Sequence, residues 1–258
     1  MKLTSLYKGG TKVSYTDFGN KNGYPILIQH GLIASITDSS LFRPLLESGL
    51  RLICIARPGY GESSNYLLKN LGEWGEIVGA VVDDLQLAEF DVFGISSGAP
   101  YGYSVAHRFP SKVRRIFILS GVPALYSEQV RAWWPFDINA QSSLADLQIL
   151  ARELFFSDLS REDLEREDIK DSMMNDCYGV AQDLLLRGID WGFNLAEVPQ
   201  EVFMRHSRSD TNVPFITAEI TARLLPHCHL EVRDNDVHFS EDVLNDFIKK
   251  TIIPLAKS

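Results

Sequence analysis

The chain has 258 residues, 45% of them apolar, which is enough for one large domain with a sizeable core and excludes an intrinsically disordered protein. A formal charge of -9 and a pI near 5.2 set it against nucleic acid and anionic membrane, whose surfaces would repel it. The balance favours a small organic substrate, neutral or cationic.

The three cysteines, Cys54, Cys177 and Cys228, are odd in number and far apart, so no disulfide framework is expected and a reducing compartment is. The first residues contain no sustained apolar region of the signal-peptide kind. Every apolar run falls far short of the roughly 20 residues a bilayer demands. The expected location is the cytoplasm.

Residues 3–7 and 12–18 read as an antiparallel strand pair joined at Gly9-Gly10, with period-two alternation in the second strand. Residues 25–29 form a buried strand, 40–47 a short helix and 51–56 a second buried strand. A long helix follows over 73–89, with Ile77, Val78, Val81, Leu85 and Ala88 on its inner side. Residues 90–95 read as a strand, 99–109 as a helix ended by Pro110, and 113–119 as a further strand.

From 123 to 193 there is no convincing buried strand, only helical stretches over 143–156 and 161–174. Strand character resumes at 201–205, followed by a helix over 213–225, a strand over 229–233 and a helix over 240–253. Continuous apolar strands separated by helices predict an α/β fold, a doubly wound and mostly parallel sheet covered on both faces. The core domain is expected over residues 1–122 and 194–258, with a helical cap inserted at 123–193.

Chemistry concentrates at Gly94-Ile95-Ser96-Ser97-Gly98, where a buried strand turns into a helix. A serine on such a turn sits in a strained conformation, and only small residues two before and two after let the chain pass closely around it. Ser96 has that symmetric glycine spacing and Ser97 does not. A serine hydroxyl needs a base to take its proton and a carboxylate to orient the base. His238 follows the last strand and Asp210 follows the strand before it, so all three residues fall at one carboxyl edge of the sheet, where open parallel sheets bind ligands.

Asp236 is the nearest rival to Asp210, but two residues from His238 it suits a loop hydrogen bond better. His206 is expected to pack behind the acid loop. The tract His227-Cys228-His229 lacks further ligand spacing and reads as the start of a strand, with no metal implied.

The order nucleophile, acid, histidine is supported by further segments: Gln29-His30-Gly31, Arg57-Pro58-Gly59-Tyr60-Gly61-Glu62-Ser63, Ser209-Asp210 with Val213-Pro214, and Val237-His238. With the Ser96 elbow these five ordered segments resemble the α/β-hydrolase fold over nearly the full chain. The resemblance implies an eight-stranded, mostly parallel sheet and a cap over the pocket. It implies a charge relay of Ser96, His238 and Asp210, and an oxyanion hole made by the backbone amides of Leu32 and Ser97, with Gly31 letting the Leu32 loop approach closely. The chain departs from the family at Ala56, where an acidic residue often precedes the arginine, so Arg57 lacks that neighbour.

Pocket-lining candidates are His30 and, in the cap, Trp133, Trp134, Phe155 and Trp191. The expected activity is that of a serine hydrolase of a carboxylic ester or related small acyl compound, acting through an acyl-enzyme without metal or organic cofactor. Two alternatives are a non-hydrolytic ligand receptor on the same fold and a triad-dependent acyl transferase or carbon–carbon bond hydrolase. The sequence carries no signal for oligomeric state.

Overall fold

The computed structural model describes residues 2–137 and 141–257. Its strands are β1 (Lys2–Tyr7), β2 (Thr11–Gly19), β3 (Pro25–Gln29), β4 (Arg51–Ile55), β5 (Phe90–Ile95), β6 (Val113–Leu119), β7 (Glu201–Ser207) and β8 (Cys228–Arg233). They form one eight-stranded sheet in the order β1-β2-β4-β3-β5-β6-β7-β8. β2 pairs antiparallel with both β1 and β4, and every other pairing is parallel.

Both faces of the central strands are apolar, so each must be covered. Leu27, Val92, Ile116 and Ile118 bury into one cluster, while Ile26, Ile28, Phe93 and Phe117 bury into the other. Helices α2 (Gly72–Asp84), α3 (Ala99–Arg108) and α7 (Phe215–Leu224) supply the first cluster through residues such as Ile77, Val105 and Ala218. Helices α1 (Arg43–Glu47) and α8 (Glu241–Phe247) supply the second through Leu45, Leu244 and Phe247. A π-turn over Ile248–Ile252 joins α8 to the last helix, α9 (Ile253–Ala256).

Between β6 and β7 lie α4 (Glu128–Arg131), α5 (Leu144–Phe155) and α6 (Glu167–Arg187), with no strand among the described residues. Ser143 and Asp146 form a reciprocal capping box that starts α5. α6 is broken inside: Met174 is extended, and Asn175, Asp176 and Cys177 all take left-handed backbone with φ between 52 and 61°. Gln148 spans the break, donating to the Asn175 and Asp176 carbonyls at 3.1 and 2.9 Å.

Two helix expectations change. The helix expected over 73–89 ends at Asp84, because Gln86 turns left-handed at φ 51° and the Leu87 amide reaches back to the Val82 carbonyl at 2.9 Å. The helix expected over 161–174 starts at Glu167 and, beyond its break, continues to Arg187. No helix of the described residues is long and apolar enough to cross a membrane.

Candidate active site

The turn after β5 puts Ser96 in left-handed backbone at φ 50°, a conformation unusual for a residue with a side chain. The two flanking glycines make room for it. A Cβ on Gly98 would stand 2.0 Å from the Gln29 carbonyl oxygen, and one on Gly94 would meet Ala99 Cα and the Gly98 oxygen at 3.0 Å. A 3-10 turn over Ser96–Gly98 leads into α3, and the Val122 amide donates to the Ser96 carbonyl at 2.9 Å. The Ser96 side chain therefore stands at the N-terminal end of a helix, where the dipole and free amides favour negative charge.

His238, in the loop between β8 and α8, brings Nε2 within 2.9 Å of Ser96 Oγ. Its Nδ1 lies 2.8 Å from Asp210 Oδ2. The other carboxylate oxygen of Asp210 accepts from the Asn212 and Val213 amides, each at 2.9 Å. Burial works to raise the Asp210 carboxyl, but the His238 hydrogen bond and the Val213 amide outweigh it and hold it below the ordinary range. His206 sits behind this loop, fully buried, with Nε2 2.8 Å from the Val213 carbonyl, and burial depresses its pKa. Asp236, the rival acid, pairs instead with Arg233 at 3.4 Å.

The loop after β3 is held by its carbonyls. Arg57 donates Nη1 to the His30 carbonyl at 2.6 Å and Nη2 to the Gly31 carbonyl at 2.8 Å. The Tyr60 hydroxyl lies 2.8 Å from the next carbonyl, that of Leu32. Three successive carbonyls are thus anchored on one side. Leu32 lines the same cavity as Ser96 and Ser97 on the other.

His30 is buried and neutral in role: burial, reinforced by the Arg57 charge, holds its pKa well below the ordinary value, while Nε2 accepts from the Arg57 amide at 3.3 Å. Gly31 differs from expectation, since a Cβ there would find only the Ile95 oxygen, at 3.9 Å, and space does not require a glycine.

The counter-ion of Arg57 comes from α6. Asp183 takes Arg57 Nε at 3.1 Å on Oδ1 and Nη2 at 2.6 Å on Oδ2, in the bidentate geometry that suits guanidinium and carboxylate. The Tyr101 hydroxyl donates to Oδ1 at 2.6 Å, and the Tyr60 hydroxyl lies 3.0 Å from Oδ2. Burial works against charge on Arg57, but Asp183 and the two tyrosines outweigh it and keep the guanidinium more firmly protonated than usual. Asp183, Tyr60 and Tyr101 were not among the sequence candidates. The available signal was a lone carboxylate within the apolar run Ala181-Gln182-Asp183-Leu184-Leu185-Leu186, together with an arginine short of an acidic neighbour.

A cavity of about 1360 Å³ opens over Ser96 and His238. His30, Trp134 and Phe155 line it, as does Arg187 from the end of α6. Trp133 does not: its side chain turns outward and is 58% exposed. Trp191 does not either, because it is fully buried in the core, edge-on to Tyr126 and tilted against Phe193. Aromatic character in the helical segment marks packing at one of these positions and solvent at the other.

Comparison with known proteins agrees with this architecture. A family model described as alpha/beta hydrolase fold matches residues 24–239. "Uncharacterized hydrolase YcgS" of Bacillus subtilis is 32% identical over 119 residues, 46% of this chain and 41% of that protein. The first three curated relatives are matched over only 41%, 30% and 44% of their own length. The 2-hydroxymuconate semialdehyde hydrolase of Pseudomonas sp. strain CF600 is 24% identical over 250 residues, 92% of this chain and 87% of that protein. Among solved structures, an esterase from Exiguobacterium antarcticum superposes with a TM-score of 0.76 at 20% identity, over 100% of both chains, a likeness of fold. With a family model matched across most of its length and the sheet order just described, the chain belongs to the alpha/beta hydrolase fold family.

Proposed function

We propose that the protein is a serine hydrolase of small carboxylic esters or related acyl compounds. The observation that carries this reading is the unbroken hydrogen-bond chain from Ser96 through His238 to Asp210, at 2.9 and 2.8 Å, opening on a cavity. Ser96 Oγ attacks the acyl carbon as its proton passes to His238 Nε2. The amides of Leu32 and Ser97 hold the oxyanion that forms. His238 then gives the proton to the leaving alcohol, and the acyl group stays on Ser96. Water attacks the ester in turn, with its proton taken by His238, and the carboxylic acid leaves as the proton returns to Ser96.

In this reading residues 123–193 act as a cap whose inner surface, including Trp134 and Phe155, bounds the acyl site. A receptor role has less support, since a protein that only binds has no use for an aligned nucleophile, base and acid. Likeness along nearly the whole chain to a protein named 2-hydroxymuconate semialdehyde hydrolase favours carbonyl compounds beyond esters as a second reading, with the same residues in the same roles. Reaction of purified protein with a fluorophosphonate, followed by peptide mass spectrometry, tests the proposal. The expected adduct lies on Ser96 and is lost in Ser96→Ala along with turnover of nitrophenyl esters. Full ester turnover by Ser96→Ala would overturn it.

A further inference from the structure

Two arginines, Arg57 and Arg187, and one carboxylate, Asp183, lie together beside the cavity. Asp183 directs both oxygens to Arg57, and the remaining directions are filled by the Tyr60 and Tyr101 hydroxyls. Arg187 stands one helical turn further along α6 and, among the described residues, reaches only the Asp183 backbone carbonyl, at 3.4 Å from Nε, leaving its buried Nη2 with no acceptor there. The group of Arg57, Arg187 and Asp183 therefore carries one positive charge that no side chain among the described residues balances. A buried charged donor without a partner is costly, and its pKa is drawn down by burial accordingly.

Arg187 lines the cavity that contains Ser96 and His238. The other arginine on this cavity is different in kind. Arg166 is exposed, and its guanidinium is occupied by Asp168 at 2.6 and 3.1 Å. Of the acidic side chains at the cavity, Asp168 is half-buried and taken by Arg166, while Asp38, Asp137 and Glu167 are exposed, so water and salt screen them far more than the buried end of Arg187. On the same cavity wall the Trp134 indole nitrogen is a second buried donor, with no acceptor among the described residues.

We propose that Arg187 is a carboxylate-binding residue of the substrate site, so that the acyl compound cleaved at Ser96 carries an anionic carboxylate elsewhere on its skeleton. The inference rests on the hydrolase reading for the reaction and on the unpaired guanidinium for the substrate class. It departs from the whole-chain charge, which points to neutral or cationic compounds: the local field at the unpaired arginine outweighs a diffuse and screened negative surface. A planar carboxylate accepts two parallel N–H bonds from a guanidinium and supplies the missing charge.

The test compares two substrates of equal acyl length, 4-nitrophenyl pentanoate and mono-4-nitrophenyl glutarate, which differ by a terminal carboxylate. Wild type, Arg187→Met and Arg187→Lys are assayed, and glutarate binding to the corresponding Ser96→Ala proteins is measured by calorimetry. A charge-assisted contact of this kind predicts that the ratio of kcat/KM for the anionic over the neutral ester falls by about 10- to 100-fold in Arg187→Met. Arg187→Lys restores part of the ratio, and glutarate affinity falls in parallel. If Arg187→Met does not fold, Arg187→Gln carries the same comparison.

An unchanged ratio with unchanged glutarate affinity overturns the proposal, as does failure of glutarate to bind the parent protein at millimolar concentration. Should neither ester turn over while glutarate binding still depends on Arg187, the hydrolase reading fails and the carboxylate site stands.

Discussion

Arg57 and Asp183 form a bidentate ion pair, 2.6 Å at its shorter contact, that joins the loop after β4 to the C-terminal half of α6. Both side chains are almost wholly buried, and the same guanidinium holds the His30 and Gly31 carbonyls. The pair thus couples the helical segment to the loop that carries Leu32 on the cavity wall. An acid 126 residues away in sequence takes the place left vacant by Ala56.

Asp183→Asn keeps the shape of this side chain and removes its charge. Breaking a buried ion pair from one side leaves the other charge uncompensated, so the variant loses about 3 kcal/mol or more of stability in urea unfolding. The Arg57 anchor on the His30 and Gly31 carbonyls slackens at the same time. The proposed oxyanion donor, the Leu32 amide, shifts with that loop, so kcat on a neutral nitrophenyl ester is expected to fall by about tenfold or more.

Asp91, on β5 and away from the cavity, predicts a pH dependence of stability. Burial pushes its carboxyl up to about 6, against the lowering by Arg115 and by the Tyr24 hydroxyl, and its Oδ2 has no hydrogen-bond partner. A group whose folded pKa is raised stabilises the fold at low pH, and that contribution is lost as pH rises through the folded value. Asp91→Asn therefore gains stability over wild type above about pH 6, by roughly 2 kcal/mol, and the gain disappears below about pH 4. Urea midpoints across that range check the sign and the window.

The two glycines near Ser96 separate by what surrounds them. Gly98→Ala forces a Cβ to within 2.0 Å of the Gln29 carbonyl oxygen, a backbone atom that cannot move aside without shifting β3. The variant is expected to lose about 3 kcal/mol or more of stability and with it the Ser96 turn. Gly31→Ala meets nothing closer than 3.9 Å and has no positive φ, so its thermal midpoint stays within a few degrees of wild type.

The parallel sheet and the elbow were legible because their signals are local and redundant. The strands over Pro25–Gln29, Phe90–Ile95 and Val113–Leu119 are continuous apolar runs, and Gly94 and Gly98 mark a place where backbone passes close to backbone. The ends of helices were less so. α2 stops at a left-handed Gln86 and α6 breaks at left-handed Asn175, Asp176 and Cys177, none of them the glycine that normally announces such a turn.

Long-range partners were the least legible. Asp183 and Arg187 are ordinary helix residues until α6 is laid over the sheet, where one is neutralised by Arg57 and the other is left unpaired. Trp133 and Trp191 carry the same apolar label in sequence, yet one faces solvent and the other the core, because an aromatic residue does not state which surface it covers.

The proposed reaction turns on a covalent bond between Ser96 and the acyl group. Mixing the protein with 4-nitrophenyl acetate, quenching in acid within the first turnover and mapping peptides by mass spectrometry tests it most directly. An acetyl adduct is expected on Ser96, absent in Ser96→Ala and formed at least about a thousandfold more slowly in His238→Ala. Turnover with no adduct on Ser96, or an adduct on another residue that persists in Ser96→Ala, would contradict it.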